Sequence, residues 1–264
     1  MRTSTISLKQ ANKPGKARRA VTALVVAALW LLVWEALYRL VGADVLLASP
    51  LQVGRRLFQL VGQGEFWRIT LASLGRVLMS YALGVAVGAA LAVLTYNLPW
   101  LRTFLSPMLA IVRAMPVASF IILALVWLTS RRVPVLTGFL MVLPIVWGNV
   151  ETGIRAADPE LLEMAAVFGL TRRQKLMGIY APAVLPYFVT ACTMSLGLCW
   201  KASIAAEVLG SPKFSIGAQL YNAKIYLETA DLFAWTVVVV ALSMALEKLF
   251  AALMARVQRR VPYE

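Results

Sequence analysis

Six long apolar runs alternate with short polar segments along this chain. Charged residues are rare inside the runs, and the polar segments between them are too short to fold on their own. About 20 apolar residues are enough for a helix to cross the hydrocarbon core of a membrane. We therefore predict an all-α membrane protein with about six transmembrane helices, at residues 20–42, 69–96, 103–129, 133–150, 179–206 and 232–255.

Composition and charge agree with this fold class. Hydrophobic residues make up 61% of the 264 residues and the mean hydropathy is +0.77, whereas soluble domains are about half apolar. The net charge of +14 could indicate a nucleic-acid partner. However, basic residues gather at both chain ends, as expected for tails kept in the cytoplasm. With an even number of spans, this predicts an N-in and C-in protein in a lipid bilayer, with no nucleic acid. Arg131 and Arg132, in a short loop predicted to face outward, are an exception.

The runs also predict how the chain is divided. Residues 1–19 form a basic cytoplasmic tail, 20–42 an additional N-terminal span, 69–256 the core membrane domain, and 257–264 a second cytoplasmic tail. A signal peptide would also follow a basic tail, but this first run is longer than usual and no convincing cleavage site closes it. We interpret it as a retained span. After it, Ser49, Pro50 and Gln52 have capping-box spacing, which predicts an amphipathic helix on the outer surface.

Four charged residues fall inside or at the ends of predicted spans, where they are energetically expensive. They are Arg76, Arg113, Lys201 and Glu207. Each is a candidate for a transport pathway or for a structural ion pair. Arg113 lies between two prolines and either snorkels to the cytoplasmic surface or belongs to a polar network. Glu207 ends the fifth span and is interpreted as a marker of the outer interface, and the sequence assigns partners to none of the four.

No residue set indicates catalysis, a metal or a cofactor. The chain has no histidine, which removes the commonest metal ligand. Cys192 and Cys199 are seven residues apart on one predicted helix, so we interpret them as small buried residues. Gly84, Gly88 and Ala92 have the four-residue spacing of close helix packing, either within the chain or between subunits.

The segment 151–178 is the most informative polar insert. Asp158, Pro159 and Glu160 are a strong helix start, and Gly169 is suited to ending that helix in a left-handed turn. Thr171 and Gln174 predict a second capping box and a second helix. Leu162, Ala165, Ala166 and Gly169 form a stripe of mostly small residues that another surface could approach closely. The insert is therefore a helix–turn–helix knuckle on the cytoplasmic side, either a loop without a partner or a docking surface.

The knuckle resembles the EAA loop of the permeases of ABC importers, whose pattern is E-A-A-x3-G-x9-I-x-L-P. Glu163, Ala165, Gly169, Ile179 and Pro182 match at the same spacing, whereas Met164 and Ala181 depart from it. Other segments resemble the nitrate, sulfonate and taurine branch, and the likeness extends over about residues 45–255. Those segments are Ala48-Ser49-Pro50, Ser73-Leu74-Gly75-Arg76-Val77, Arg113-Ala114-Met115-Pro116, Asp158-Pro159-Glu160-Leu161-Leu162 and Ala205-Ala206-Glu207.

This resemblance implies the type I (MetI-like) permease fold, with residues 69–256 as the permease core and 151–178 as its cytoplasmic EAA loop. It implies a second permease copy in a homodimer, cytoplasmic ABC ATPase subunits and an extracytoplasmic solute-binding protein. The coupling positions would be Glu163, Ala165, Ala166 and Gly169, with Arg172 and Arg173 as salt-bridge partners of the ATPase. The bulkier Met164 would adjust the fit. No G-x-x-x-x-G-K-[ST] phosphate loop is present, so we expect ATP hydrolysis on a separate subunit.

The substrate and the competing functions are less constrained. Arg113, Lys201 and the positive charge favour an anion such as a sulfonate or nitrate, whereas Trp127, Trp147 and Trp200 would suit a vitamin precursor. The alternative is an ion-gradient-driven secondary transporter or channel, which would show inverted repeats and acidic residues at mid-membrane. We find no repeat, and we interpret Glu35 as the only acid well inside a span. A membrane-bound enzyme would need a cluster of catalytic groups, which the sequence lacks.

Overall fold

The computed structural model describes residues 16–258, and every regular element in that range is helical. A π-helical turn, Leu176–Tyr180, joins two of the helices into one continuous segment. In chain order the helices are α1 Lys16–Val41, α2 Pro50–Val61, α3 Gly64–Asn97, α4 Pro99–Ala114, α5 Val117–Trp127, α6 Val133–Arg155, α7 Pro159–Val167, α8 Arg172–Lys175, α9 Ala181–Gly210, α10 Ile216–Ile225 and α11 Thr229–Gln258.

The predicted tails lie largely beyond the described residues. Residues 1–15 and 259–264 are outside them. Helix α1 begins at Lys16, within the predicted tail 1–19, and its membrane-spanning part begins at Val21. The division into an additional first span at 20–42 and a core at 69–256 stays a prediction.

The all-α, multi-pass prediction is confirmed. Among the described residues, α1, α3, α6, the segment from α8 to α9, and α11 are each long and apolar enough to cross a membrane. The third predicted span, 103–129, needs a correction. It is not one helix but the pair α4 and α5, bent by 109°. Met115 takes an extended conformation before Pro116, since a residue preceding proline is disfavoured in a helix, and the chain turns there.

Helix α6 is the centre of the bundle and packs between α3 and α9. The contact with α3 depends on two glycines. A Cβ atom at Gly84 would lie 2.6 Å from the Val142 Cβ, and one at Gly88 would lie 3.0 Å from the Leu143 carbonyl oxygen. Without side chains at these positions the two helices approach closely, which is the usual means of association in lipid. The predicted small-residue stripe of α3 therefore packs within the chain.

Helices α3 and α9 also meet directly, through the two cysteines. The Cys199 thiol lies 3.2 Å from the Ser80 hydroxyl, and the Tyr81 hydroxyl donates to the Cys192 carbonyl at 2.9 Å. Both cysteines are buried and free. Their interpretation as small buried residues is confirmed.

One end of the bundle is closed by α2, whose predicted capping box is present. The Ser49 hydroxyl accepts from the Gln52 N–H, and the Gln52 side chain accepts from the Ser49 N–H. Arg56 on α2 pairs with Asp231 at the start of α11, with Nη2 and Oδ2 at 2.8 Å. The hydrogen bond from Arg56 to this carboxylate raises the pKa of the Arg56 guanidinium, so the ion pair stays charged. The opposite end of the bundle carries α7 and α8, between the end of α6 and the start of α9.

Candidate coupling site and polar residues in the membrane

The knuckle, the helix–turn–helix of segment 151–178, is built by local capping as the sequence predicts. The Asp158 carboxylate accepts from the Glu160 N–H at 2.9 Å, and Pro159 occupies the first turn of α7. The capping box of the second arm is also present, because the Gln174 side chain accepts from the Thr171 N–H at 2.8 Å. Both helices of the knuckle therefore start at fixed residues despite their short lengths.

The turn between the arms is a Schellman motif centred on Gly169. Gly169 has φ +65°, the left-handed conformation that residues with a Cβ rarely adopt. The Leu170 N–H donates to the Ala165 carbonyl at 2.9 Å, and the Gly169 N–H donates to the Ala166 carbonyl at 3.2 Å. Leu170 also packs against the apolar cluster around Ala165. The predicted C-terminal cap is confirmed.

The contact face predicted for α7 needs a correction. Ala165 has 0% exposure and packs with Ala157 and Ile179 of the same chain, and Leu162 joins this cluster. Half of the predicted stripe therefore faces inward. In this structure Ala165 offers no exposed surface to a partner protein. Its small side chain lets α7 lie close to the π-helical turn that leads into α9, so it positions the knuckle.

The outward face of α7 carries an apolar patch that the sequence analysis missed. We call Leu161, Met164, Val167 and Phe168 the knuckle patch. Val167 and Phe168 are 85% and 75% exposed. Met164, Val167 and Phe168 follow the i, i+3, i+4 spacing of one helix face, a signal that was available but was outweighed by the small residues beside it.

The remaining predicted coupling residues surround this patch. Glu163, Ala166, Gly169, Arg172 and Arg173 are all exposed. Within residues 16–258 neither of these two arginines forms an ion pair. The knuckle thus presents an exposed apolar patch with charged residues at its edges.

At the other end of the bundle, Arg76 and Glu207 form a buried ion pair. The Arg76 guanidinium lies 2.7 Å from the Glu207 carboxylate, whose exposure is 0%. The second carboxylate oxygen accepts from the Ser73 hydroxyl at 2.8 Å and from the Gly217 N–H at 3.2 Å. The expectation that Glu207 only marks the outer interface is wrong. Helix α9 continues to Gly210, and the carboxylate ties α3, α9 and α10 together.

The other two charged candidates differ from this pair. The Arg113 guanidinium donates to the Pro144 carbonyl of α6 at 2.7 Å, so it belongs to a polar contact between α4 and α6. Lys201 is exposed on α9, on the same face as Leu198 and Ala205. Within the described residues Lys201 has no ion pair. The structure therefore brings Arg76 and Glu207 together and leaves Arg113 and Lys201 apart from them.

A further acid lies inside a span, contrary to expectation. Glu35 pairs with Arg39 on α1 at 2.8 Å, but Glu247 also lies within the spanning part of α11. The Ser243 hydroxyl donates to the Glu247 carboxylate at 3.3 Å. A Cβ at Gly197 of α9 would lie 2.9 Å from that carboxylate, so the absence of a side chain there makes room for it.

Comparison with known proteins places the chain in a family. Residues 82–262 match the family described as "binding-protein-dependent transport system inner membrane component". A putative aliphatic sulfonates transport permease of Bacillus subtilis is 26% identical over 230 residues, covering 86% of this chain and 83% of that protein. A riboflavin transport system permease of Chloroflexus aurantiacus is 29% identical over 214 residues, covering 79% and 78%.

The fold is also that of a known transporter. The chain is similar to a solved structure of the MetNI methionine ABC transporter in an inward-facing conformation, with a TM-score of 0.62 and 17% identity. The match covers 74% of this chain and 99% of that one. The predicted MetI-like permease fold is confirmed, and the family match extends over the knuckle and the spans on either side of it. This chain belongs to the family of inner membrane permease components of binding-protein-dependent ABC importers.

Proposed function

We propose that this permease carries a small anion into the cytoplasm by alternating access, driven by ATP hydrolysis on a separate cytoplasmic subunit. The observation that carries the proposal is the knuckle, which has a free apolar patch and lies directly between two membrane-spanning helices. An exposed apolar patch with charged edges is the usual character of a protein-binding surface.

The packing of the knuckle supports a mechanical role. Ala165 of α7 lies against Ala157, just after α6, and against Ile179, just before α9. A displacement of α7 by an ATPase subunit would therefore reach both helices, and α6 is the centre of the bundle. Nucleotide-driven closure of the ATPase would change the angle between α6 and α9 and switch the side on which the pathway opens. Glu163, Arg172 and Arg173 would supply charged contacts at the edge of the patch.

The proposed assembly contains two copies of this chain, two ATPase subunits and an extracytoplasmic binding protein. The family description, which names a binding protein, supports the last of these. The knuckle is placed in the cytoplasm because Arg172, Arg173 and Lys175 lie in it, as the positive-inside rule expects. In this orientation α2 and the Arg76–Glu207 pair lie at the outer end, where a binding protein would dock.

The function is tested with the purified chain in liposomes, together with candidate ATPase and binding-protein subunits from the same organism. We expect no ATP hydrolysis by the chain alone, because it contains no phosphate loop. We expect uptake only with all components and internal ATP. Uptake driven by an imposed ion gradient without ATP would instead support a secondary transporter.

Lys201 supports an anionic substrate. An unpaired ammonium group on a membrane-spanning helix is expensive in lipid, and a water-filled pathway between two permease copies would remove that cost. A relative named for aliphatic sulfonates is consistent with this substrate class, whereas the relative named for riboflavin supports a larger, aromatic alternative.

We expect Lys201→Met to reduce uptake of radiolabelled ethanesulfonate roughly tenfold or more, since a hydrogen bond to a charged group contributes about 1.5–3 kcal/mol. Lys201→Arg should retain most uptake. Lys213→Met, in the loop between α9 and α10, removes the same charge outside the spans and serves as the control. Wild-type uptake by Lys201→Met, or uptake of riboflavin but not of the sulfonate, would contradict the anionic assignment.

A further inference from the structure

A cavity of about 320 Å³ lies between α4 and α6, at the end of the bundle that carries the knuckle. Helix α4 contributes two arginines and a serine to its wall, and α6 contributes a tryptophan, a glutamate and an arginine. These lining residues are Arg102, Ser106, Arg113, Trp147, Glu151 and Arg155. Three guanidinium groups therefore face one carboxylate across a space large enough for a small molecule.

The carboxylate does not neutralise this cluster. Arg102 Nε and Arg155 Nη2 both bind the same Glu151 oxygen, Oε1, at 2.8 and 2.9 Å. Glu151 is buried beneath them, whereas the two arginine side chains are about half exposed. Arg113 has no carboxylate partner within residues 16–258. The described side chains around the cavity thus carry two more positive charges than negative ones.

Arg113, an exposed residue, places part of this charge further along α6 from the knuckle. Its guanidinium binds the Pro144 carbonyl, and Pro144 precedes the end of α6 at Arg155 by about three turns, roughly 16 Å of helix. If the end of α6 at Arg155 lies at the edge of the hydrocarbon core, which is about 30 Å thick, the Arg113 guanidinium lies near half-depth. A Cβ at Gly148 would lie 3.0 Å from Arg113 Nη2, which means that α6 leaves room for this guanidinium. One carbonyl acceptor satisfies few of its five N–H donors.

We propose that this cavity binds an oxyanion, a sulfonate, sulfate or phosphate group, through Arg102, Arg113 and Arg155. Guanidinium groups suit such ligands because their planar N–H forks match the oxygens of sulfonates and phosphates. The group could belong to a free anion from the cytoplasm or to the phosphate of an anionic lipid. This proposal rests on the proposed function in one respect: it takes from it that the end of the bundle with the knuckle faces the cytoplasm. Because Arg155 ends α6 three residues before the Asp158 cap of α7, an anion bound there would join α4 to the helix that leads into the knuckle.

The site is tested on the full-length chain purified in detergent, by measuring its melting temperature with increasing sodium methanesulfonate or sodium phosphate against sodium chloride of equal ionic strength. We expect saturable stabilisation by the two oxyanions. In Arg102→Gln and in Arg113→Gln the half-saturating concentration should rise about tenfold each, the loss expected for one charge-assisted hydrogen bond. Arg68→Gln, at an exposed arginine near the start of α3, is the control and should not change it.

A second arm identifies the source of the anion. The same variants are compared in nanodiscs of phosphatidylcholine with and without phosphatidylglycerol. If phosphatidylglycerol stabilises the protein in a way that depends on Arg102 and Arg113, and the free anions have no effect, the site binds a lipid phosphate. If the free anions stabilise it and phosphatidylglycerol does not, the site binds a soluble anion. If the glutamine variants do not fold, Arg→Lys variants and protection of the wild-type arginines from phenylglyoxal by methanesulfonate take their place. Oxyanion effects that are absent, or equal in the control, overturn the proposal. Neither arm needs ATP or transport, so its failure is distinct from failure of the proposed function.

Discussion

Phe168→Glu is expected to abolish ATP-driven uptake while the permease remains in the membrane. Phe168 is 75% exposed on the knuckle and has no role in the bundle core. If the patch docks in a cleft of the ATPase, burying this ring contributes about 1.5–3 kcal/mol, and a carboxylate in its place adds a desolvation cost. The ATPase should therefore bind on the order of a hundredfold more weakly, measured by co-purification and by uptake in liposomes.

The matched control is Phe58→Glu. Phe58 is 83% exposed on α2, at the opposite end of the bundle. This variant makes the same chemical change at similar exposure but outside the knuckle, so it should retain the ATPase. Equal co-purification by the two variants would show that the knuckle patch is not the docking surface.

Glu207→Gln is expected to destabilise the permease by about 3–5 kcal/mol, the usual cost of leaving one partner of a buried ion pair without its counter-charge. The Glu207 carboxylate is fully buried and holds Arg76, Ser73 and the start of α10. Glutamine keeps the shape but removes the charge that Arg76 requires. The loss should appear as a lower melting temperature in detergent and as lower abundance in the membrane.

An exposed acid outside the membrane-spanning helices provides the control. Glu160, in the first turn of α7, is exposed and has no ion pair within residues 16–258, so Glu160→Gln should cost no more than about 1 kcal/mol, the size of a helix-dipole contribution. Adding Arg76→Met to Glu207→Gln should recover part of the stability, because the second change removes the uncompensated charge. A Glu207→Gln variant as stable as Glu160→Gln would contradict the structural role of the Arg76–Glu207 pair.

Features that depend on neighbouring residues could be predicted from the sequence. The helix caps at Ser49, Asp158 and Thr171 and the left-handed Gly169 are local, because each joins groups within a few residues. The spans follow from run length alone. Pro116 indicates a bend next to Met115. The angle of 109° depends on how α4 and α5 pack against the bundle, so the length of an apolar run does not predict it.

Features that join distant residues could not be predicted. Arg76 and Glu207 are separated by 131 positions, and their pairing depends on how α3 and α9 pack. The direction of each α7 face was likewise undetermined, because a nine-residue helix with small residues on one side and apolar residues on another can turn either side inward. The contact of Ala165 with Ile179 decides this, and it leaves Val167 and Phe168 outside.

The most direct test of the coupling account is photocrosslinking from α7 itself. A benzophenone maleimide is attached to Val167→Cys or to Phe58→Cys in membranes that contain the complete transporter. Cys192 and Cys199 are buried, so the reagent is confined to the introduced thiol. Val167 on α7 and Phe58 on α2 are 85% and 83% exposed, so both positions can be labelled. The account predicts a crosslink to the ATPase subunit from position 167 and none from position 58. No crosslink from position 167, or crosslinks only to lipid or to the permease itself, would contradict it.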